Sequence, residues 1–172
     1  MTIIAVLLSF LISPLEADAL RETAPLDLSP RDAFLHLSAA RIAAASYDVS
    51  AADLLAVAHH ESRYTPTAVT HEYARACKKC RRVWIGDSCG VGTPLWRLYH
   101  RCDPWELTIM GGYAASAMHL AEWARIYRGN RLRALGGYSG WAMDTQEPGA
   151  HAWQRFAWRA ARIQRAITEA GR

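Results

Sequence analysis

Residues 52–69 read ADLLAVAHHESRYTPTAV, and the fold assignment turns on whether this stretch is a helix that ends at its charged cluster. Ser50 followed by Asp53 is an acidic version of a capping box, which puts a helix start just ahead of it. Leu54, Val57, Ala58 and Glu61 then recur at helical spacing on one face, and Pro66 closes the segment. An apolar stripe that terminates in a carboxylate sets that carboxylate apart. It is poorly hydrated and lies at the negative end of the helix dipole, and both effects favour its protonated form. A glutamate kept protonated near neutral pH is what a general acid requires. The alternative is a buried structural carboxylate paired with Arg63 or Arg97.

The two histidines suggest a metal site, and spacing argues against it. A zinc-binding helix of the peptidase type needs a second His four residues after the first, so that both imidazoles face one ion. His60-Glu61 would need it at position 64, where Tyr64 stands. His59 and His60 are adjacent and point about 100° apart on a helix, so they do not chelate one ion as a local pair. Each is read as a surface or hydrogen-bonded structural histidine.

Other helices flank this one. Ser29-Pro30-Arg31-Asp32 combines a capping side chain, a proline at the first helical position and an acid in the first turn. Phe34, Leu37, Arg41 and Ile42 follow at helical spacing up to about Tyr47. Asp103-Pro104-Trp105-Glu106 opens the longest amphipathic segment, which carries Ile109, Met110, Tyr113, Ala117, Leu120, Ala121, Ala124 and Tyr127 before Gly129-Asn130. A last helix runs from about Gly149 to Ala170, with Trp153, Phe156, Ala160, Ile163 and Ile167 inward and Arg155, Arg159, Arg162 and Arg165 outward. Between Pro66 and Cys102 the helical period is lost, which predicts an irregular Cys-rich insertion or a short β-ribbon. The 172 residues, 51% apolar and 21% charged, are the composition of one globular domain rather than of a disordered chain. The fold class expected is mostly α.

The chain begins with an apolar run from Ile3 to Ile12, then Pro14 and the small-residue pattern Ala17-Asp18-Ala19. This predicts a signal peptide over residues 1–19, cleaved after Ala19, followed by a single domain over residues 20–172 in a periplasmic or secreted protein. No Lys or Arg precedes the run, and an uncleaved anchor is the alternative. Cleavage would remove Glu16 and Asp18, raising the net charge of +4 by two. An exported basic protein suits an anionic partner such as cell wall or a lipid surface. No basic run is interleaved with stacking aromatics, which disfavours nucleic acid. Cys77, Cys80, Cys89 and Cys102 form an even set within segment 77–102. They read as two disulfides, given export, with one zinc site as the alternative. Lys78, Lys79, Arg81 and Arg82 form a solvated face or rest on anionic wall polymer or membrane surface. Trp84 and Trp96 stack on sugar rings or brace the insertion.

The quoted stretch resembles the signature of the lysozyme-like lytic transglycosylases, the soluble lytic transglycosylase and goose-type lysozyme group. There an apolar helix ends in Glu-Ser, followed by an aromatic, a turn with Pro and a small-apolar pair, matched here by Glu61-Ser62, Tyr64, Pro66 and Ala68-Val69. SCGVGTPLW, residues 88–96, stands where that family has its glycine-led substrate loop. Residues 103–140 resemble its block of Asp-Pro, long helix with an early Gly, and Tyr-Asn-x-Gly turn. The resemblance covers roughly residues 50–141. It implies a lysozyme-like helical fold, an enzyme without cofactor or metal, and peptidoglycan glycan strands as partner. It further implies Glu61 and Tyr138 as the acid and its hydrogen-bonding partner, and Ser62, Tyr64, Gly90, Thr93 and Ser139 as substrate contacts. Two positions depart from the pattern: Thr93 stands where the family has Gln, and Ser139 where it has Asn. The activity implied is cleavage of the β-1,4 bond between N-acetylmuramic acid and N-acetylglucosamine by a single glutamate. Hydrolysis of the same bond, or a non-catalytic wall-binding module of a secretion or phage apparatus, are the alternatives.

Overall fold

The computed structural model describes residues 12–23, 28–74, 81–92, 101–138 and 152–172. Among these, six helices and one two-stranded sheet occur in the order α1 (Pro14–Thr23), α2 (Pro30–Tyr47), α3 (Ala51–Ser62), β1 (Val69–Ala74), β2 (Val83–Cys89), α4 (Ile109–Ile126), α5 (Arg131–Tyr138) and α6 (Ala152–Ala170). The protein is mostly α-helical, as its periodicity predicts.

Helix α3 is the axis of the body. Ser50 caps it by accepting from the Asp53 N–H, and every residue from Ala52 to His59 is buried. A helix hydrophobic on all sides lies inside the fold rather than on its surface. It packs against α2 and α6, and touches α4. Around it the core is small-residue rich: Ala33, Leu37, Ala40 and Ala43 from α2, Tyr113, Ala117 and Leu120 from α4, Ala160, Ile163 and Ile167 from α6. The many alanines let helix axes approach closely, so the layers are held by main-chain proximity as well as by side-chain bulk.

Three expectations are corrected in this body. Phe34 and Ile42, expected on the helical face of α2, are exposed, and the buried stripe runs instead through Ala33, His36, Leu37, Ala40 and Ala44. The long helix starts at Ile109, capped by the Thr108 hydroxyl accepting from the Gly111 N–H. Asp103 caps only a preceding turn, its carboxylate accepting from the Trp105 and Glu106 N–H groups. Met110, expected to face inward, is exposed. Ala160, Ile163 and Ile167 of α6 are buried as expected, and the side chains of Trp153 and Phe156 lie outside the described residues.

The segment before Thr23 contributes to the body. Ser13 accepts from the Glu16 N–H while Glu16 accepts from the Ser13 N–H, a reciprocal cap with Pro14 at the first helical position. Ala17 and Leu20, on either side of the expected cleavage point, are 3% and 0% exposed. Glu16 is buried in an ion pair with Arg41 of α2, whose guanidinium reaches both carboxylate oxygens. Helix α1 packs on both α2 and α6. No described helix is long and apolar enough to cross a membrane.

The Cys-rich insertion contains the short β-ribbon expected. β1 and β2 pair antiparallel, with a register break between Glu72 and Tyr73 opposite Ile85. Asp87 is buried on the ribbon and accepts from Trp84 Nε1 at 2.9 Å, with His71 Nδ1 at 2.7 Å. These two contacts hold its carboxyl below the usual range. Ser88 Oγ donates to Glu72 at 3.1 Å, and Arg101 lies over the Trp84 ring at 4.3 Å. Cys89, the last residue of β2, is bonded to Cys102, so the disulfide reading holds for this pair and a zinc site of all four cysteines does not. Cys77, Cys80, Lys78 and Lys79 lie outside the described residues, as do Trp96 and Arg97. Arg81 and Arg82 are exposed ahead of β2.

Candidate active site

The site forms where α3 stops. Arg63 and Tyr64 both have positive φ, 54° and 62°, and the Tyr64 N–H reaches back to the Ala58 carbonyl at 3.1 Å. Non-glycine residues in the left-handed region cost free energy, so two in succession mark a helix end that tertiary contacts hold in place. The abrupt stop leaves Glu61 and Ser62 on the last turn, both half-buried.

Ser62 is the strut that joins this turn to the loop after β2. Its hydroxyl donates to the Val91 carbonyl at 2.6 Å and accepts from the Thr65 N–H at 3.2 Å. The loop is pinned on its other side too, by the Gly90 N–H donating to the Ala68 carbonyl at 2.9 Å and by the Cys89–Cys102 disulfide. Gly90 has φ +74°, and a Cβ there would stand 2.4 Å from the Glu106 carbonyl oxygen. Only glycine meets both conditions. Val91 is fully buried in the core.

Gly92 carries the loop to the opposite wall. A Cβ on it would meet Ser116 Oγ at 2.0 Å and the Tyr138 hydroxyl at 2.6 Å. Tyr138, the last residue of α5, donates its phenol proton to the Gly92 carbonyl at 2.8 Å. Ser116 of α4 donates to the Gly112 carbonyl one turn back at 2.7 Å. His119 packs its ring against Tyr138 edge-on, 5.0 Å between centroids, and accepts from Trp123 Nε1 at 3.2 Å. Burial pushes the Tyr138 phenol well up, the Ser116 hydroxyl opposes this, and the Glu61 charge adds to the rise. Tyr138 thus stays a neutral phenol, and Glu61 is an electrostatic neighbour of its oxygen.

The proton inventory here has a chemical consequence. A phenol has one proton, and Tyr138 spends it on Gly92. Its oxygen is left with acceptor capacity alone.

Of the residues singled out in the sequence, Glu61, Ser62, Gly90 and Tyr138 come together around one loop although they are up to 77 positions apart. Thr93 and Ser139 lie outside the described residues, each next to a residue of this cluster. Tyr64 is placed elsewhere: it is 3% exposed, in the core, with its ring edge-on to His36 at 5.1 Å and to His59 at 5.8 Å. This position makes it a packing residue rather than a substrate contact, because the left-handed turn that ends α3 rotates the ring inward. His59 is likewise buried, with Arg63 Nη1 3.4 Å from its Nε2, and burial lowers its pKa to about 4. The two ribbon carboxylates are engaged locally, Asp87 by His71 and Trp84 and Glu72 by Ser88. No group of three or more His, Cys, Asp or Glu side chains among the described residues is arranged to hold a metal ion.

Sequence reasoning missed Gly92, Ser116 and His119 as parts of this wall. Gly112 and Ser116 are small residues one helical turn apart, the spacing that lets a loop approach a helix closely, and that was the available signal. Comparisons of the chain with protein-family models, with curated proteins and with solved structures give no match.

Proposed function

We propose that the chain is an exported peptidoglycan-cleaving enzyme of the lytic transglycosylase type, with Glu61 as its single acid and base. The observation that carries this reading is the meeting of Glu61 with Tyr138 and with the glycine-led loop at residues 90–92, through Ser62 and the Tyr138 to Gly92 hydrogen bond. Those three segments are the ones that the sequence resemblance connects.

In this reading protonated Glu61 donates to the oxygen that links N-acetylmuramic acid to N-acetylglucosamine. The acetamido group of the substrate assists departure of the leaving sugar. The carboxylate formed then removes the proton of the 6-hydroxyl, which closes a 1,6-anhydro ring and regenerates the acid. One carboxyl group serves both steps, unlike the usual pair of glycosidase carboxylates. Tyr138, a neutral phenol beside Glu61, orients the carboxyl group in this reading. Its ring is held by His119 and its proton by Gly92, so its position is set before substrate arrives.

Glu61→Gln tests the proposal. The variant is expected to bind purified sacculi and to keep its melting temperature while releasing no muropeptides. Wild-type protein that binds sacculi and releases nothing refutes catalysis. Product mass separates the two chemistries, since anhydro products are one water lighter than hydrolytic ones.

A further inference from the structure

Beside the candidate site, at the end of α3, the fold gathers positive charge. Arg63 follows Glu61 by two residues at the strained end of α3, and α6 packs against this end. From α6 come Arg155, Arg159 and Arg162, spaced four and three residues apart, hence on one side of the helix. Like charges at these spacings destabilise a helix. Arg159 is half-buried, and its environment works against its charge: burial first, then Arg63, Arg162 and Arg155. Arg159 and Arg63 act on both His59 and His60, and Arg155 on His60. Among the described residues no carboxylate forms a salt bridge with any of the four arginines. Two buried polar atoms next to the cluster, His59 Nδ1 and the Tyr64 hydroxyl, also lack a hydrogen-bond partner among the described residues. A fold that keeps four guanidinium groups together, one of them half-buried, offers bidentate donors for a planar anion.

We propose that Arg63, Arg155, Arg159 and Arg162 form a binding site for the carboxylate groups of the peptide stems carried by the glycan strand that Glu61 acts on. This rests on the proposed function for its choice of carboxylate, since the stems are the anionic part of that substrate and branch from the sugar next to the scissile bond. The site sets where along a strand the protein settles: stem-bearing muramic acid is held, and bare glycan is not. Arg159, half-buried on α6, is the fixed centre, and the exposed Arg155 and Arg162 are the adaptable flanks.

The test compares full-length wild type with two double variants, Arg63→Ala/Arg159→Ala and Arg155→Glu/Arg162→Glu. The second changes only exposed side chains, so it remains informative if the first fails to fold. Three probes are used: intact sacculi, glycan strands stripped of stems by an amidase with the freed lactyl carboxylates then capped as neutral amides, and vesicles containing phosphatidylglycerol. Wild type is expected to bind sacculi about tenfold more tightly than stripped strands, the equivalent of one charge-assisted contact, and both variants are expected to lose that difference. Equal binding of wild type to sacculi and stripped strands overturns the proposal. So does a loss in the variants confined to the vesicles, which assigns the cluster to lipid phosphate. Stem-dependent binding without muropeptide release removes the enzyme reading and leaves the site; release with stem-independent binding does the reverse.

Discussion

Leu20→Ala asks whether α1 is part of the working protein. Leu20 is fully buried, between α1 and the helices it packs on, and the expected leader cleavage after Ala19 would make it the first residue of the mature chain. If α1 is retained, the substitution leaves a cavity in an alanine-rich core that has few bulky neighbours to close it. Such Leu→Ala changes cost about 2–4 kcal/mol. For a chain of 172 residues each kcal/mol moves the melting temperature by about 2–4 °C, so a drop of roughly 5–15 °C is expected. Leu15→Ala is the control, because Leu15 is 64% exposed and its loss is expected to cost under about 0.5 kcal/mol. The assay is thermal unfolding of protein recovered from the exported fraction, with intact mass measured on the same sample. An unchanged melting temperature for Leu20→Ala, or a mass that begins at Leu20, refutes the packing argument. It would mean that Ala17 and the ion pair of Glu16 with Arg41 are dispensable.

Tyr138→Phe leaves the Gly92 carbonyl without its donor and is expected to cost about 1–2 kcal/mol in stability, with a larger fractional loss of muropeptide release; a variant as active as wild type would sink the role given to the phenol oxygen. Gly92→Ala pushes a methyl group into Ser116 and Tyr138, with an expected cost of about 1–3 kcal/mol, whereas Gly129→Ala, with nothing within 4 Å, pays only for its positive φ; equal melting temperatures for the two glycine variants would contradict the close contact. His36 is buried beside Tyr113 and Tyr64 with a pKa near 4. Because the unfolded chain takes up this proton from about pH 6.5 downward and the folded chain only near 4, stability is full above pH 6.5 and falls by roughly 3 kcal/mol as pH drops to 4. Denaturant midpoints measured across that window should fall for wild type and fall less for His36→Gln, and parallel profiles would show that His36 is not the titrating group. Reduction of Cys89–Cys102 is expected to release the loop at residues 90–92 and lower muropeptide release before it lowers helix content, which circular dichroism on the reduced protein checks.

Local sequence chemistry accounted for much of the helical framework. Ser29-Pro30-x-Asp32 and Ser50 with Asp53 began α2 and α3 where capping rules place them, since a cap is an interaction between residues three apart and needs nothing else from the fold. The same rule holds in Ser13-Pro14-x-Glu16, directly after the apolar run. Asp103-Pro104 showed the limit of the rule: a capped turn satisfies the same local hydrogen bonds as a helix start, and the long helix begins later, at the Thr108 cap, where Gly111 packs against Trp105. Phe34 and Ile42 were misplaced because helical spacing states which residues share a face, while the neighbouring helix decides which face is covered.

The sequence by itself determined the helix that ends at Glu61, the position of the glycine-led loop and the presence of Tyr138, because these are properties of residue order. Tertiary structure decided that Tyr64 turns into the core, that Cys89 joins Cys102, and that Gly92, Ser116 and His119 form the wall that orients Tyr138. It also brought Arg63 to the arginines of α6. The physical reason is the same throughout: periodicity and capping act over a few residues along the chain, whereas the protonation preference of a carboxyl group depends on the atoms that folding brings to it from distant segments.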